Sequence, residues 1–417
     1  MLPFGEVLRA VLGQLPQVVF GPNFWLFWLI VALIWGQYSR VANTECKIFG
    51  RAVNDPAWAT LTAIGQGLLG GIIGSLIMIG VGVSLSGAGI SYLWPLAIAL
   101  MLINPRLICF SYAGGLLSLT HLLVGWPKLS VPGLLALVAI LHVIESVLIY
   151  FSGEQTATPV HAKTPSGTVG GYVLQRFWPI PVIILLMGIT DGNITNGLIQ
   201  MPDWWPLLKP DWELAQHPYA VYLMWPVVAA LGYSDVALSL PPRAKAKRTS
   251  AHLLAFSLIL LVLAILGSRY RLFAWLAALF APLGHEWVAR QGSASELRSV
   301  PHLIPPPYGF RVLDVLPRSP AKRAGLRPGD WVVAVEGSPL SGWSEWEALL
   351  AFGGERFRIT VERAGHFVGL VATNFEEPFG VVPVPVPTDP HYVILDKETR
   401  LVRYIRRVWS QITRAGR

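Results

Sequence analysis

The sequence contains few charged residues and little cysteine. Asp, Glu, Lys and Arg make up 13% of its 417 residues, whereas soluble domains carry about a quarter, and 53% of the residues are apolar. Most of the chain is therefore predicted to lie in a lipid bilayer. The two cysteines, Cys46 and Cys109, lie far apart and outside any Cys-x-x-Cys pattern, which argues against a disulfide framework or a structural zinc site.

A complete metal-binding motif is also missing. The segment PLGHEWVAR (282–290) contains the first half of the zinc protease motif His-Glu-x-x-His, but Ala289 stands where the second histidine would bind the metal. We therefore expect His285 and Glu286 to lie at the end of a membrane segment and to interact with neighbours such as Arg290. The sequence predicts no metal ligands, no catalytic residues and no cofactor, and hence a protein that is not an enzyme.

Residues 1–21 lack the features of a cleaved signal peptide. They have no basic n-region and no small-x-small cleavage site, and Glu6 and Arg9 suit an amphipathic helix at a membrane interface. We expect no cleavage of this segment.

Residues 22–290 are predicted to form a polytopic α-helical membrane bundle with eight or nine spans. Glycines crowd the second span (GQGLLGGIIG), where they would allow neighbouring helices to pack closely. Apolar runs suited to about 30 Å of hydrocarbon lie near 22–38, 57–84, 107–126, 131–151, 219–239, 251–268 and 272–289, and shorter runs lie near 90–103 and 179–198.

The basic residues predict the orientation of the bundle. Lys and Arg concentrate in alternate connections, most densely in PPRAKAKRTS (241–250), and cytoplasmic loops retain such residues. This pattern places everything beyond residue 290 in the cytoplasm. The side of the N-terminus stays open, because it depends on whether one short run is re-entrant.

Three polar residues are predicted at membrane depth, where they are costly and mark function by default. His142 and Glu145 are three residues apart and share one helical face, and Asp235 lies in another apolar run. An interhelical hydrogen-bonded lock is the favoured interpretation, and a proton or ion relay is the alternative. The repeated halves typical of transporters are not evident.

From residue 308 the pattern changes to short alternating strands and helices. The segment VLPRSPAKRAGLRPGDWVVAVEG (315–337) resembles the PDZ domain family, whose members bind extended peptides beside a strand. The resemblance implies an α+β domain over 300–387, a small, partly open β-barrel with two helices. It is predicted to be circularly permuted, because EEPFGVVPV fits a strand and loop displaced to the C-terminal side.

The permuted arrangement implies a peptide-binding site. Its carboxylate-binding loop and strand would be Phe379, Gly380, Val381 and Val382, and its wall the helix that carries Trp346, Leu349 and Leu350. Residues 308–310 form a competing loop, but they run directly into the first strand. A closed groove, with the domain acting only as a scaffold, stays as an alternative.

The last segment, 388–417, is predicted to form a basic amphipathic helix. Its apolar stripe and its arginines suit the anionic inner leaflet, although a solvated tail or a partner helix remains open. No nucleic-acid-binding fold accompanies the charge. The predicted membrane-surface residues are Arg403, Arg406, Arg407 and Trp409.

Taken together, the spans, the basic loop before the last two of them, the His-Glu pair and the terminal PDZ domain resemble the MinJ-type division proteins of Gram-positive bacteria. The segments QRFWPIPV, MPDWWPLLKP and PLGHEWVAR are similar to the membrane part of that group. The resemblance implies a non-enzymatic adaptor in the cell membrane, at septum and poles, with DivIVA-like or MinD-like protein partners. A degenerate site-2-protease-like protein, or a transporter or relay through the intramembrane His and Glu, is the alternative.

Overall fold

The computed structural model consists of a helical bundle with a long β-hairpin and a C-terminal α+β domain that packs against one end of the bundle. It describes residues 2–387 except 23, 166, 190–197, 210–216, 218, 353–355 and 374–378. The predicted tail residues Arg403, Arg406, Arg407 and Trp409 lie outside the described residues. We call the end of the bundle near Phe49 and Tyr172, which contacts the C-terminal domain, the domain end, and the opposite end the far end.

The N-terminal helix α1 (Phe4–Phe20) packs against the protein with its apolar face. Val7, Val11, Leu15 and Val18 follow one another at helical spacing and are buried in a cluster with residues of the neighbouring helices and of the β-hairpin. This face, predicted for a membrane interface, therefore contacts the bundle itself.

In the part of the chain that the structure describes, seven further α-helices build the bundle. Among the described residues, five helices are long and apolar enough to cross a membrane, and two shorter ones are apolar. The long ones are α2 (Phe24–Phe49), α3 (Pro56–Val81), α6 (Val131–Ser152), α7 (Pro242–Gly267) and α8 (Arg271–Arg298), and the short ones are α4 (Ile90–Ile103) and α5 (Phe110–Val124).

The two short helices form a bent pair that enters the bundle and turns back. With 14 residues, α4 is roughly 21 Å long, which is less than the ~30 Å of a bilayer core. It ends at Asn104, whose side chain caps a 3-10 turn at Pro105–Ile108, and Cys109 then caps α5. The outer ends of the pair lie at the far end of the bundle, where Gly89 packs against Leu129. The turn at Cys109 consequently lies inside the bundle.

The chain that follows α6 forms strands. A three-stranded antiparallel sheet contains β1 (Thr158–Thr164), β2 (Gly167–Ile189) and β3 (Ala220–Ala237), in the order β1-β2-β3. The prediction of helical spans near 179–198 and 219–239 is therefore wrong for 179–189 and 220–237, where the described residues form strands. Continuous apolar runs lack a period that separates a buried strand from a helix, and here Pro179 and Pro181 oppose a helix.

Strand β2 lies in a groove that the glycines of α3 form. Gly67 and Gly71 are one turn apart, and a Cβ atom at either would overlap the carbonyl oxygen of Pro179 or Pro181. The small residues thus permit close approach as predicted, but the partner is a strand instead of a helix. The backbone-to-backbone contact resembles the Cα–H···O contacts of close-packed helices.

The edge of β2 that faces α3 has its backbone groups satisfied or removed. The amides of Phe177, Ile183 and Met187 donate to the hydroxyls of Tyr38 (3.0 Å), Ser75 (2.8 Å) and Ser86 (2.9 Å). The residues between them on the same edge include Pro179 and Pro181, which have no N–H to satisfy. Because an open sheet edge is not tolerated in hydrocarbon, this arrangement allows a hairpin to lie within a helical bundle.

A buried ionic cluster fixes the hairpin to α7 and α8 near the domain end. The Lys245 side chain is 2% exposed, and its Nζ lies 3.3 Å from Asp235 Oδ2 and 3.6 Å from Glu296 Oε1. Thr249 donates to Asp235 (2.7 Å), and Glu296 Oε2 accepts from the amides of Leu238 and Ser239. Asp235 is therefore paired with a cation contributed by another element.

The C-terminal domain folds around one aromatic core. Its sheet has the order β8-β7-β5-β4-β9, with β6 paired to β5, and Trp346 packs against Phe310, Phe357 and Phe379 in the core. The elements are β4 (Phe310–Val315), α9 (Pro320–Ala324), β5 (Trp331–Val335), β6 (Ser338–Pro339), α10 (Trp343–Phe352), β7 (Arg356–Arg363), β8 (His366–Thr373) and β9 (Val381–Pro383).

The Asp of the Pro-Gly-Asp segment (328–330) forms a buried ion pair. Asp330 is 2% exposed, and the Arg363 guanidinium donates to both of its carboxylate oxygens at 2.7 Å. The Arg327 amide donates to the same carboxylate at 2.9 Å. This bidentate, buried pair holds the turn after α9 against the C-terminal end of β7.

Candidate functional site

The loop between β8 and β9 builds the first candidate site. Gly380 has φ +88°, in the left-handed region that favours glycine, and a Cβ there would overlap the Ser319 side chain. The carbonyl of Phe379 accepts from the Ala321 amide (3.1 Å), and the carbonyl of Gly380 accepts from the Leu316 amide (2.9 Å). Both carbonyls therefore point toward β4 and α9.

Peptide geometry then fixes the direction of two donors. In a trans peptide unit the C=O and the following N–H point in opposite directions. The amides of Gly380 and Val381 accordingly point away from β4 and α9. A pair of adjacent backbone amides with this arrangement can hold a carboxylate.

The side chains predicted to surround this loop divide into core and surface. Phe379 and Val382 are buried, and Trp346 is 1% exposed in the core beneath α10. On the same helix, Leu349 is 42% exposed, and Leu350 packs against the core while half-buried. Only Leu349 of the three predicted wall residues presents a largely exposed apolar surface.

The edge of β9 beyond Val381 is already in contact with the bundle. His161 Nε2 lies 3.0 Å from the Pro383 carbonyl oxygen, and the Thr168 amide donates to the Pro387 carbonyl (3.0 Å). Alternate residues of a strand point their backbone groups to the same edge, and Pro383, Pro385 and Pro387 offer no N–H there. Strand addition is therefore restricted to the part of the edge around Val381.

The contact between the bundle and the C-terminal domain consists of an apolar cluster and of hydrogen bonds to backbone carbonyls. Leu313, Leu316, Val382 and Val384 are buried together, with Phe49, Val53 and Tyr172 packed against them. The Tyr172 hydroxyl donates to the Leu313 carbonyl (2.5 Å), and Arg51 donates to the Arg318 carbonyl (2.9 Å).

Asp314 lies at this contact, and burial raises the pKa of its carboxyl to about 6. A carboxyl whose folded pKa exceeds its unfolded pKa favours folding when protonated, so stability should fall as pH rises from about 4 through about 6 and then level off. Asp314→Asn should remove this slope and stabilise the full-length protein at pH 7.5 by up to about 3 kcal/mol, at 1.36 kcal/mol per pKa unit.

The unfolding midpoints of both proteins at pH 4.5 and 7.5 test this expectation. The exposed Glu347→Gln serves as the matched control on the same domain, and it should leave the pH dependence unchanged. An Asp314→Asn protein with the wild-type slope would show that burial does not penalise this carboxylate.

A second constellation lies at the turn between α4 and α5. Cys109 Sγ is 3.0 Å from His142 Nε2 and 3.4 Å from His285 Nε2, and one ligand atom of each residue lies within 4.8 Å of the others. His142 is buried, whereas Cys109 and His285 are half-buried. The spacing of these residues along the chain gave no sign of the cluster, because they come from three separate elements.

The remaining predicted residues have different partners. The His142 Nδ1 atom lies 2.7 Å from the Val138 carbonyl, and Glu145 lies on the same helix close enough to interact electrostatically with His142 and Cys109. Glu286 pairs with Arg290, as predicted, and also accepts from the Tyr112 hydroxyl (2.6 Å). His142 thus contacts the thiol and Glu145 lies on the same helix, whereas Asp235 belongs to the separate Lys245 cluster.

Known proteins match both the C-terminal domain and the chain as a whole. The PDZ domain family matches residues 311–363. The cell division topological determinant MinJ of Bacillus subtilis is 21% identical over 358 residues, which are 79% of this chain and 82% of MinJ.

Two further relatives match a short segment. A candidate zinc metalloprotease of Neisseria meningitidis is 40% identical over 63 residues, 14% of either chain. HhoA of Synechocystis, a candidate serine protease, is 43% identical over 65 residues, 16% of this chain and 14% of its own. These two matches are as short as a PDZ domain, so they carry no evidence for a protease domain. The long match and the PDZ match together support the resemblance of this chain to MinJ-type PDZ-containing proteins.

Proposed function

We propose that the protein is a non-enzymatic, membrane-anchored adaptor whose PDZ domain captures the C-terminus of a partner protein in the cytoplasm. The helices of the bundle fix the domain at the bilayer, and several weak contacts near one membrane then raise the effective affinity. The observation that carries the proposal is the pair of outward-pointing amides at Gly380 and Val381, on a loop whose carbonyls are engaged elsewhere.

The proposed recognition mode follows from the edge of β9. In the permuted arrangement β9 is the strand beside which the peptide adds, and it pairs with β4 through Val315 and Val381. Val381 offers a free edge to a ligand, whereas Pro383 has no N–H and its carbonyl is next to His161. The ligand is therefore expected to contribute its terminal carboxylate and last side chain, with few further backbone contacts.

The cellular process is inferred from the relative along most of the chain. MinJ of B. subtilis is a cell division topological determinant, so we propose a role in division-site placement, with DivIVA-like or MinD-like proteins as partners at septum and poles. In this proposal the PDZ domain and the C-terminus face the cytoplasm, as the basic residues in the 241–250 segment favour.

A binding experiment with C-terminal peptides tests the proposed mode. Fluorescent peptides that end with the C-termini of the organism's DivIVA-like and MinD-like proteins are titrated with the full-length protein in nanodiscs. At least one should bind with a free carboxylate, and its amidated form should bind at least tenfold more weakly. Loss of charge-assisted hydrogen bonds of about 1.5 to 3 kcal/mol each is the physical reason.

Gly380→Val should abolish the same binding, because its side chain would overlap Ser319 and displace the loop. Gly342→Ala is the matched control in the same domain, since an added Cβ there meets its nearest atom at 3.9 Å. Equal binding of free and amidated peptides, or full binding by Gly380→Val, would show that this loop does not bind the terminal carboxylate of the peptide.

A further inference from the structure

We propose that Cys109, His142 and His285 together bind one divalent transition metal ion, with Zn²⁺ as the expected ion. The proposal is independent of peptide binding, because the three residues lie in the helical bundle, at the start of α5 and within α6 and α8. Nothing in the sequence spacing indicates such a site.

Three elements converge at the proposed site. Cys109 precedes α5 at the inner turn of the α4–α5 pair, His142 lies near the middle of α6, and His285 lies in α8. The imidazole rings of His142 and His285 are 5.3 Å apart and nearly perpendicular. Phe256 of α7 contacts both rings edge-on at 5.7 Å, which closes the site on one side with an apolar wall.

The distances are near those of a tetrahedral zinc site. With Zn–S of about 2.3 Å and Zn–N of about 2.0 Å, tetrahedral geometry separates sulfur and nitrogen ligands by roughly 3.6 Å. Sγ of Cys109 is 3.0 and 3.4 Å from the two Nε2 atoms. Binding the ion therefore requires the sulfur–nitrogen separation to increase by about 0.6 Å at His142 and by about 0.2 Å at His285.

The surroundings orient His142 as in known metal sites, whereas Nδ1 of His285 is buried without a hydrogen-bond partner among the described residues. The Nδ1–H of His142 can donate to the Val138 carbonyl at 2.7 Å, which leaves the Nε2 lone pair directed toward Cys109. Tyr112, held by Glu286 at 2.6 Å, contacts the His285 ring at 5.2 Å. The Ser111 hydroxyl lies 3.4 Å from His142 Nε2, beside the position that a fourth ligand or water would take.

A thiolate and two imidazoles form a donor set of intermediate softness, which suits zinc better than the hard ions magnesium and calcium. A bound ion would cross-link α5, α6 and α8 through side chains. It would thereby hold the short, turned-back α4–α5 pair in the bundle, in addition to the close packing of Gly115 against Pro282.

The alternative occupant is a proton. A neutral thiol has one hydrogen to share between two imidazole nitrogens, so the same three side chains could form a metal-free hydrogen-bonded cluster. The two states differ in the reactivity of the thiol, because a metal-bound sulfur is unavailable to alkylating reagents.

The chain supplies its own control for an alkylation experiment, since it contains only two cysteines and Cys46 is exposed. Full-length wild-type protein is stripped with a chelator and treated with iodoacetamide, with and without Zn²⁺, and mass spectrometry follows each cysteine. At free Zn²⁺ about ten times the dissociation constant, Cys109 should react about tenfold more slowly. Cys46 should react at one rate throughout, and an unchanged Cys109 rate would overturn the proposal.

Metal content provides the second measurement. After reconstitution with Zn²⁺ and gel filtration, the wild-type protein, Cys46→Ala and His252→Ala should each retain about one zinc per chain, whereas Cys109→Ser, His142→Ala and His285→Ala should retain almost none. Cobalt in place of zinc should give a sulfur-to-metal charge-transfer band in the wild type that Cys109→Ser lacks. Equal zinc in all six proteins, or none in the wild type, would refute the site even if a variant folded poorly.

Discussion

Replacement of Lys245 with methionine is expected to destabilise the full-length protein by about 3 to 5 kcal/mol, because it leaves buried carboxylates without their cation. Glu296 has a side chain that is 2% exposed, and Asp235 is 13% exposed. Because methionine fills a volume similar to that of lysine, the loss of unfolding free energy results from the missing charge and not from poorer packing. The free energy of unfolding in mixed micelles measures the effect.

Two variants show whether the charge is responsible. Arg248→Met, on the exposed side of the same helix, should change the free energy of unfolding by less than about 0.5 kcal/mol. Adding Glu296→Gln to Lys245→Met should recover part of the loss, since a neutral amide can still accept from Leu238 and Ser239. If Lys245→Met were as stable as Arg248→Met, the cluster would not hold the hairpin against α7 and α8.

Two glycine-to-alanine substitutions on α3 are expected to have opposite signs. Gly80 faces open space, so Gly80→Ala should stabilise the protein by up to about 1 kcal/mol through helix propensity. Gly71 faces the Pro181 carbonyl, so Gly71→Ala should cost about 1 to 3 kcal/mol or more, because the added methyl forces strand and helix apart.

The difference between the two variants is the informative quantity, because both remove a glycine from the same helix. Heat-induced unfolding of the full-length protein in one detergent should place the midpoint of Gly80→Ala above the wild type and that of Gly71→Ala below it. If both unfolding midpoints shifted in the same direction, the close packing of β2 against the glycines of α3 would be contradicted.

Local patterns sufficed for the C-terminal domain and for the membrane character of the chain. The turn residues Gly325 and Gly329 have positive φ, and Asp330 binds Arg363, so each motif residue has a requirement that its own neighbourhood imposes. Likewise, long apolar runs with few charges identify helices such as α6 and α7 without knowledge of their partners.

Only the tertiary structure showed that residues 179–189 form a strand of a hairpin and not a helix. A continuous apolar run carries no period, so residues 179–189 fit a buried strand and a helix equally well by hydrophobicity. The prolines at 179 and 181 were the available signal, since a helix interior disfavours them and a strand edge accepts them. Their role is clear only beside Ser75, Ser86 and the glycines of α3, which lie far away in the sequence.

The same limit applies to the side chains that converge in the bundle. The sequence by itself determined that His142 and Glu145 share a helical face, that the Gly-rich helix packs closely and that a PDZ domain follows the membrane part. Only the tertiary structure brought Cys109 to His142 and His285, and Lys245 to Asp235 and Glu296. The physical reason is that periodicity and turn chemistry act within one element, whereas a ligand cluster or a buried ion pair depends on which elements pack together.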